Sequence, residues 1–284
     1  MIKIRKRLAD TGFGALAVAV FVFAAFPVYW MVSTSFLPNN RIRGENLAFF
    51  PTPDLFTLDN YRAAMFGETR APFPPAVLNS ISVTFLTLLI ALVVGFVAAL
   101  ALTRFQFKGR RTFIILILVI QMIPAEAMII SMFRIIDGWQ LLNSIIGLTL
   151  VYTAGVLPFT VWMLRGFVNG VPKELEEAAM IDGCSRAGAF WRVTFPLLAP
   201  GLVATGVFAF IQAWNEFVTA LVIMQRPESM TLPLWLRTFL QATQATNWGA
   251  VMAASVLIAI PAVVFFLIVQ GRMTGGLVSG AVKG

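Results

Sequence analysis

Six stretches of this chain are dominated by apolar side chains for 20 residues or more: residues 13–35, 77–102, 112–133, 143–167, 198–224 and 250–270. A helix rises about 1.5 Å per residue, so about 20 such residues cross the hydrocarbon core of a bilayer. The expected fold is therefore all-α, a polytopic membrane protein with six transmembrane helices. Composition agrees: 59% of residues are hydrophobic and 12% charged, against roughly half and a quarter in soluble domains. Pro27, Gly95, Pro124, Pro158, Gly206 and Pro261 fall inside these stretches. They would break soluble helices, but in a membrane neighbouring helices can satisfy the freed backbone groups.

The net charge of +8 does not point to nucleic acid, because the basic residues lie between apolar runs rather than on one polar surface. They set orientation instead. With the N-terminus inside, 14 of the 21 lysines and arginines fall on inner segments, including Lys3, Arg5, Lys6, Arg7, Arg104 and Lys173. The positive-inside rule then places both termini in the cytoplasm. The first apolar run comes after the basic N-terminus, is long enough to span, and ends in Tyr29-Trp30, which suit a membrane interface. It is expected to be a retained signal anchor. The lone cysteine, Cys184, excludes an internal disulfide, and the chain has no histidine to serve as acid, base or metal ligand.

Three connections exceed a tight turn. Residues 37–76, on the outside, are rich in Pro, Asn and Asp. Residues 168–197, on the inside, hold much of the acidic charge. Residues 225–249, on the outside, alternate polar residues with Leu, Trp and Phe. The inner one is written as a helix. Pro172 suits a first turn, and Glu174, Glu176 and Glu177 come next, where carboxylates meet the positive end of the helix dipole. Leu175, Ala178 and Ala179 then share one small apolar face. Gly183 can stop the helix in a left-handed conformation, and Ser185 can cap a second short helix. Three glutamates disfavour a seat on anionic lipid, so a protein partner fits this surface better.

Glu177-Ala178-Ala179, then Gly183, Val193 and Pro196 at their spacing, resembles the EAA loop of ATP-binding-cassette (ABC) importer permeases. Val193 and Phe195 stand where that family has Ile and Leu. The resemblance covers nearly the whole chain, which looks like the six-span permease of carbohydrate importers and is similar to the smaller permease of the maltose type. It implies that residues 1–284 form a single transmembrane permease domain. It further implies a cytoplasmic coupling helix in which Glu174, Glu177, Ala178, Ala179, Asp182 and Gly183 meet an ATPase. The implied partners are a second permease subunit forming a heterodimer, two ATPase subunits, an extracellular or periplasmic sugar-binding protein, and membrane lipid. The C-terminal tail, ending near Lys283, resembles relatives whose tail touches the ATPases. No cofactor is expected in this chain itself. None of its five lysines follows a glycine, so it lacks a phosphate-binding Gly-Lys-Ser/Thr loop. ATP and Mg belong on the partner ATPase.

A charge at the bilayer centre costs about 2.5–3.5 kcal/mol on insertion scales. Glu126, beside Gln121 and Pro124, lies in the third apolar stretch, and Glu216 lies in the fifth, next to Trp214 and Asn215. At 100° per residue Gln212, Asn215 and Glu216 share a face, while Trp214 points elsewhere. Two readings of Glu126, Gln212, Asn215 and Glu216 stand at this point: lining of a sugar path, or polar glue between helices. Trp235, Leu236 and Phe239 have two readings as well, contact with a binding protein or a seat on the membrane surface. The function expected is import of a disaccharide or short oligosaccharide into a bacterial cell across its inner membrane. The rivals are a proton- or sodium-coupled carrier and an intramembrane enzyme using Glu126 and Glu216 as a carboxylate pair.

Overall fold

The computed structural model describes the backbone of residues 2–43, 48–67, 71–240 and 246–280, and the side chains of those between 12 and 271. Parts of the two outer connections and Lys283 of the tail therefore lie outside the described residues. The helices are α1 (Ile2–Ser35), α2 (Asn39–Ile42), α3 (Asp59–Phe66), α4 (Phe73–Arg104), α5 (Arg110–Gln121), α6 (Ile129–Gly138), α7 (Ile145–Gly170), α8 (Glu174–Ile181), α9 (Arg186–Ala189), α10 (Phe195–Trp214), α11 (Val218–Ile223), α12 (Leu232–Arg237) and α13 (Trp248–Gly280). No strand occurs among the described residues.

Five helical runs are long and apolar enough to cross a bilayer: Gly12–Ser35, Phe73–Arg104, Ile145–Gly170, Arg186–Trp214 and Trp248–Gly271. The third apolar stretch is not one rod. It consists of Arg110–Gln121 and Ala125–Gly138, bent by 89° at a short break, and brings the number of spans to six if the pair crosses as one. Pro124 is the local cause. It has no N–H to continue the ladder, its φ/ψ of −60°/126° is extended, and a 3-10 turn, Ala125–Met128, comes directly after it. The fifth stretch also differs from a single rod ending near Met224. It begins earlier, at Arg186, where Ser185 Oγ accepts the Gly188 amide at 3.1 Å. It passes through a π-helical turn at Phe190–Thr194 and stops at Trp214. The short helix α11 then takes over.

The chain divides into two compact units, residues 1–73 with 236–260 and residues 74–235 with 261–284. In the first, polar side chains tie the end of α1 to α3, and α2 to the start of α13. Asn60 is buried and donates to Ser35 O at 2.9 Å and Leu37 O at 2.7 Å. Ser35 and Tyr61 hydroxyls lie 2.8 Å apart. Asn39 Oδ1 accepts the Trp248 amide at 3.0 Å, and the Arg43 guanidinium sits 5.0 Å from the centre of the Trp248 ring.

In the second unit α4, α7 and α10 pack through small residues, which let helices approach where lipid supplies no hydrophobic drive. Ala91 and Ala209 are fully buried beside Val156. Ala99, Leu164, Val168 and Leu198 form a second buried group. Gly95 lies against Thr160, where a Cβ would come within 2.7 Å of its methyl group. Gly201 lies against Phe167, where a Cβ would come within 2.8 Å of that residue's own Cβ. A larger cluster, including Val83, Ile136, Leu148, Tyr152 and Ile223, closes the end that carries α11.

The packing yields a paired test. Gly201→Ala forces the α7–α10 contact apart and should cost about 1–3 kcal/mol, lowering the thermal midpoint of the detergent-purified protein by several degrees. Gly155→Ala, on the same helix pair, has nothing within 4 Å of the new methyl group and should leave the midpoint unchanged. Equal midpoints for both variants would contradict this packing.

Candidate functional site

Helix α8 is displayed rather than packed. Its first turn carries Glu174, Glu176 and Glu177, as the sequence indicated. Pro172 falls one residue before the cap, Lys173, rather than inside the first turn. Glu174, Glu177 and Ala178 are exposed, and Ala179 is half-buried. The apolar side chains on this element are open too: Leu175 is 42% exposed and Ile181 87%. Burying such a surface is favourable, so its exposure on an amphipathic helix marks a face awaiting a partner.

The end of α8 is fixed by local geometry. Gly183 has φ +91°, a conformation that glycine adopts without the steric cost paid by other residues. The Cys184 amide donates to Ala179 O at 3.0 Å and the Gly183 amide to Met180 O at 3.1 Å. These two bonds form a Schellman motif, which satisfies carbonyls left open at a helix end. Asp182 is the C-cap and is exposed. The six residues Glu174, Glu177, Ala178, Ala179, Asp182 and Gly183 therefore occupy one short helix and its terminating turn, with their side chains outside the core or at its edge.

Glu176 behaves differently from the acidic first turn in which the sequence groups it. Its Oε1 lies 3.1 Å from Arg104 Nη2 and accepts from Thr194 Oγ1 at 2.8 Å. Arg104 also donates to Val171 O at 3.1 Å. Three nearby glutamates were visible in the sequence, but the partners that draw one of them inward lie far along the chain.

The membrane-embedded polar residues do not form one constellation. Glu126 sits on the 3-10 turn after Pro124 and is exposed, as are Gln121 and residues on either side. Gln212 and Asn215 are exposed at the end of α10, and Asn215 Nδ2 turns back to Ile211 O at 2.9 Å. Trp214 is buried, stacked on Phe210 with ring centres 5.5 Å apart, and so faces away from them as helix geometry required. Glu216 lies in the break between α10 and α11. Its carboxylate accepts the Thr219 amide at 2.7 Å and the Ala220 amide at 3.1 Å, capping α11. Its carbonyl accepts the Tyr152 hydroxyl at 3.3 Å. A carboxylate at a helix N-terminus satisfies amides that the helix itself leaves open.

Nearby, Asn143 holds the connection after α11. Its Oδ1 accepts the Gln225 amide at 2.7 Å, the Arg226 amide at 2.8 Å and the Ser229 hydroxyl at 3.0 Å. A cavity of about 590 Å³ opens there, lined by Asn79, Asn143, Ser144, Arg226 and Glu228 among others. Glu126, Gln212, Asn215 and Glu216 do not line it. Trp235 is fully buried, so neither reading offered for that side chain from sequence, a membrane surface or a binding-protein contact, fits its position. Leu236 and Phe239 are half-buried.

Comparison with known proteins gives three findings. Residues 91–274 match the family described as binding-protein-dependent transport system inner membrane component. The diacetylchitobiose uptake system permease protein of Streptomyces coelicolor is 47% identical over 268 residues, covering 94% of this chain and 95% of that protein. The trehalose transport system permease protein of Mycobacterium tuberculosis is 36% identical, covering 96% and 98%. Among solved structures, a chain of a bacterial ABC transporter involved in import of the acidic polysaccharide alginate superposes with a TM-score of 0.77. It is 21% identical, and the match covers 93% of this chain and 96% of that one. At that identity the likeness speaks for the fold.

The capping geometry at Glu216 gives a direct test. Glu216→Leu strands two backbone amides, at about 1–3 kcal/mol for each buried one, and should lower the thermal midpoint of the purified protein. Glu216→Gln keeps one acceptor oxygen and should fall between that variant and the unaltered chain. A Glu216→Leu protein as stable as the original would show that the cap contributes nothing.

Proposed function

The chain belongs to the binding-protein-dependent transport system inner membrane components, and from that premise we propose that it is one permease subunit of an ATP-driven sugar importer. It is a multi-pass membrane protein and a transport component rather than an enzyme. The sugar is a disaccharide. Supporting this are the names of the two relatives, whose diacetylchitobiose and trehalose are both disaccharides.

The observation that carries the reading is α8. An exposed helix with an acidic first turn, an open Leu175–Ala178 face and a glycine-terminated end is a rigid peg for a protein socket. The socket is an ATPase subunit, one of two in the complex, and ATP and Mg are bound there. A second permease subunit completes the membrane path, and a binding protein delivers sugar from outside. With 14 of the 21 basic residues on the inner segments, α8 and both termini face the cytoplasm.

The substrate path is assigned to the exposed polar groups at the end of α10. Gln212 and Asn215 are exposed at the end of the α10 run, where a partner subunit or a water-filled path would supply partners for their polar groups. Glu216 serves that path by holding the break open, its carboxylate committed to the α11 amides. Glu126, exposed on the turn after Pro124, is placed on the same path.

The peg is tested by Gly183→Val. A β-branched side chain in the left-handed region costs about 1–2 kcal/mol, and the turn that ends α8 should rearrange. The variant should reach the membrane in normal amount, yet recover about tenfold less ATPase in a pull-down from cells expressing the whole transport system. Undiminished ATPase recovery would contradict the assignment of α8.

A further inference from the structure

Four segments of the second unit meet at one half-buried point. Arg104 is the last residue of α4 and its side chain is 12% exposed. Its Nη2 reaches Glu176 Oε1 at 3.1 Å and Val171 O at 3.1 Å. Val171 caps the end of α7. Glu176 lies in the first turn of α8, and the same Oε1 accepts the hydroxyl of Thr194, a fully buried residue at the end of the π-helical turn that leads into α10. One carboxylate oxygen and one guanidinium thus join α4, α7, α8 and α10.

Around this point α8 is loosely seated. A cavity of about 300 Å³ lies beside it, lined by Leu100, Arg104, Glu176, Glu177, Met180 and Phe190 among others. Glu174 and Ile181 are exposed away from that cavity, and Glu177 is exposed at its edge. α8 also packs against α9 and the π-helical turn, and with space on the side of the knot it can tilt about that knot more easily than it can leave it. Charge-assisted bonds at this degree of shielding are shorter and stronger than neutral ones, and here two donors share a single acceptor.

We infer that Arg104 and Glu176 form the pivot that passes movement of α8 to α4 and α10, so that they are positioning residues for the coupling of ATP hydrolysis to transport. The inference rests on the proposed function. A push on α8 at its exposed face displaces Glu176. The displacement is carried by the guanidinium to the end of α4 and by the Thr194 hydroxyl to the start of the α10 run. α4 and α10 are two of the three close-packed helices of the unit. Glu174, which is exposed and does not line the cavity, acts at the partner surface only.

The test uses the complete transport complex reconstituted in liposomes, with diacetylchitobiose as the sugar probe. Three quantities are read for each variant: ATPase recovered with the permease, ATP hydrolysed, and sugar taken up per ATP. Glu176→Gln and Arg104→Gln should leave recovery and hydrolysis near the original values and lower uptake per ATP by about tenfold, within the usual range of coupling between sites. Arg104→Lys, which keeps the charge and a donor, should retain most of the uptake per ATP. Unchanged uptake per ATP in both glutamine variants would overturn the inference. So would a loss of uptake that only tracks a loss of recovered complex, since that is assembly rather than coupling. If the unaltered chain recovers no ATPase, the proposed function fails first, and the pivot with it.

Discussion

A helix end leaves backbone amides and carbonyls open, and the breaks in the helices of this protein are arranged around that constraint. The break between α10 and α11 leaves amides at the start of α11 without intrahelical partners, and the Glu216 carboxylate takes two of them. The connection beyond α11 is held in the same way by the Asn143 side-chain oxygen, which accepts from two amides and a hydroxyl. The carboxylate and the side-chain amide are there because the backbone is broken there. A carboxylate that looks costly in a membrane from the sequence is, in the fold, the group that holds the turn from the end of the α10 run into α11.

The interruptions matter because the rest of the second unit is tightly packed. Gly95 and Gly201 sit so close to α7 that a single methyl group would collide with Thr160 or Phe167. Fully buried Ala91, Ala99 and Ala209 fill the remaining contact. A bundle of this kind moves as a body rather than by local yielding. α8 meets the rest of the unit through its packing on α9 and the π-helical turn, through the Arg104–Glu176 pair and through the Thr194 hydroxyl.

Local rules were enough for some of this. Gly183 ends α8 because a left-handed residue was needed three positions after Met180, and Ser185 caps α9 because its hydroxyl reaches the Gly188 amide. Both depend on neighbours in sequence. The exclusion of Trp214 from the polar face of α10 likewise came from 100° per residue. Pro124 and the polar groups after Trp214 were visible in the sequence, but both apolar stretches resume beyond them, so the bend and the stop came only from backbone geometry. Glu176 was grouped with Glu174 and Glu177 as one acidic turn. Its inward role depends on Arg104 and Thr194, which only the folded chain brings to it.

The central claim is that this permease moves sugar at the expense of ATP bound by partner subunits on the side of the membrane that α8 faces. The measurement closest to that claim is uptake of diacetylchitobiose into liposomes that hold the assembled complex, with the sugar-loaded binding protein outside. The account predicts uptake when ATP and Mg are enclosed, none when a non-hydrolysable ATP analogue replaces ATP, and no effect of dissipating proton and sodium gradients. Uptake driven by an imposed proton or sodium gradient in the absence of ATP would contradict it.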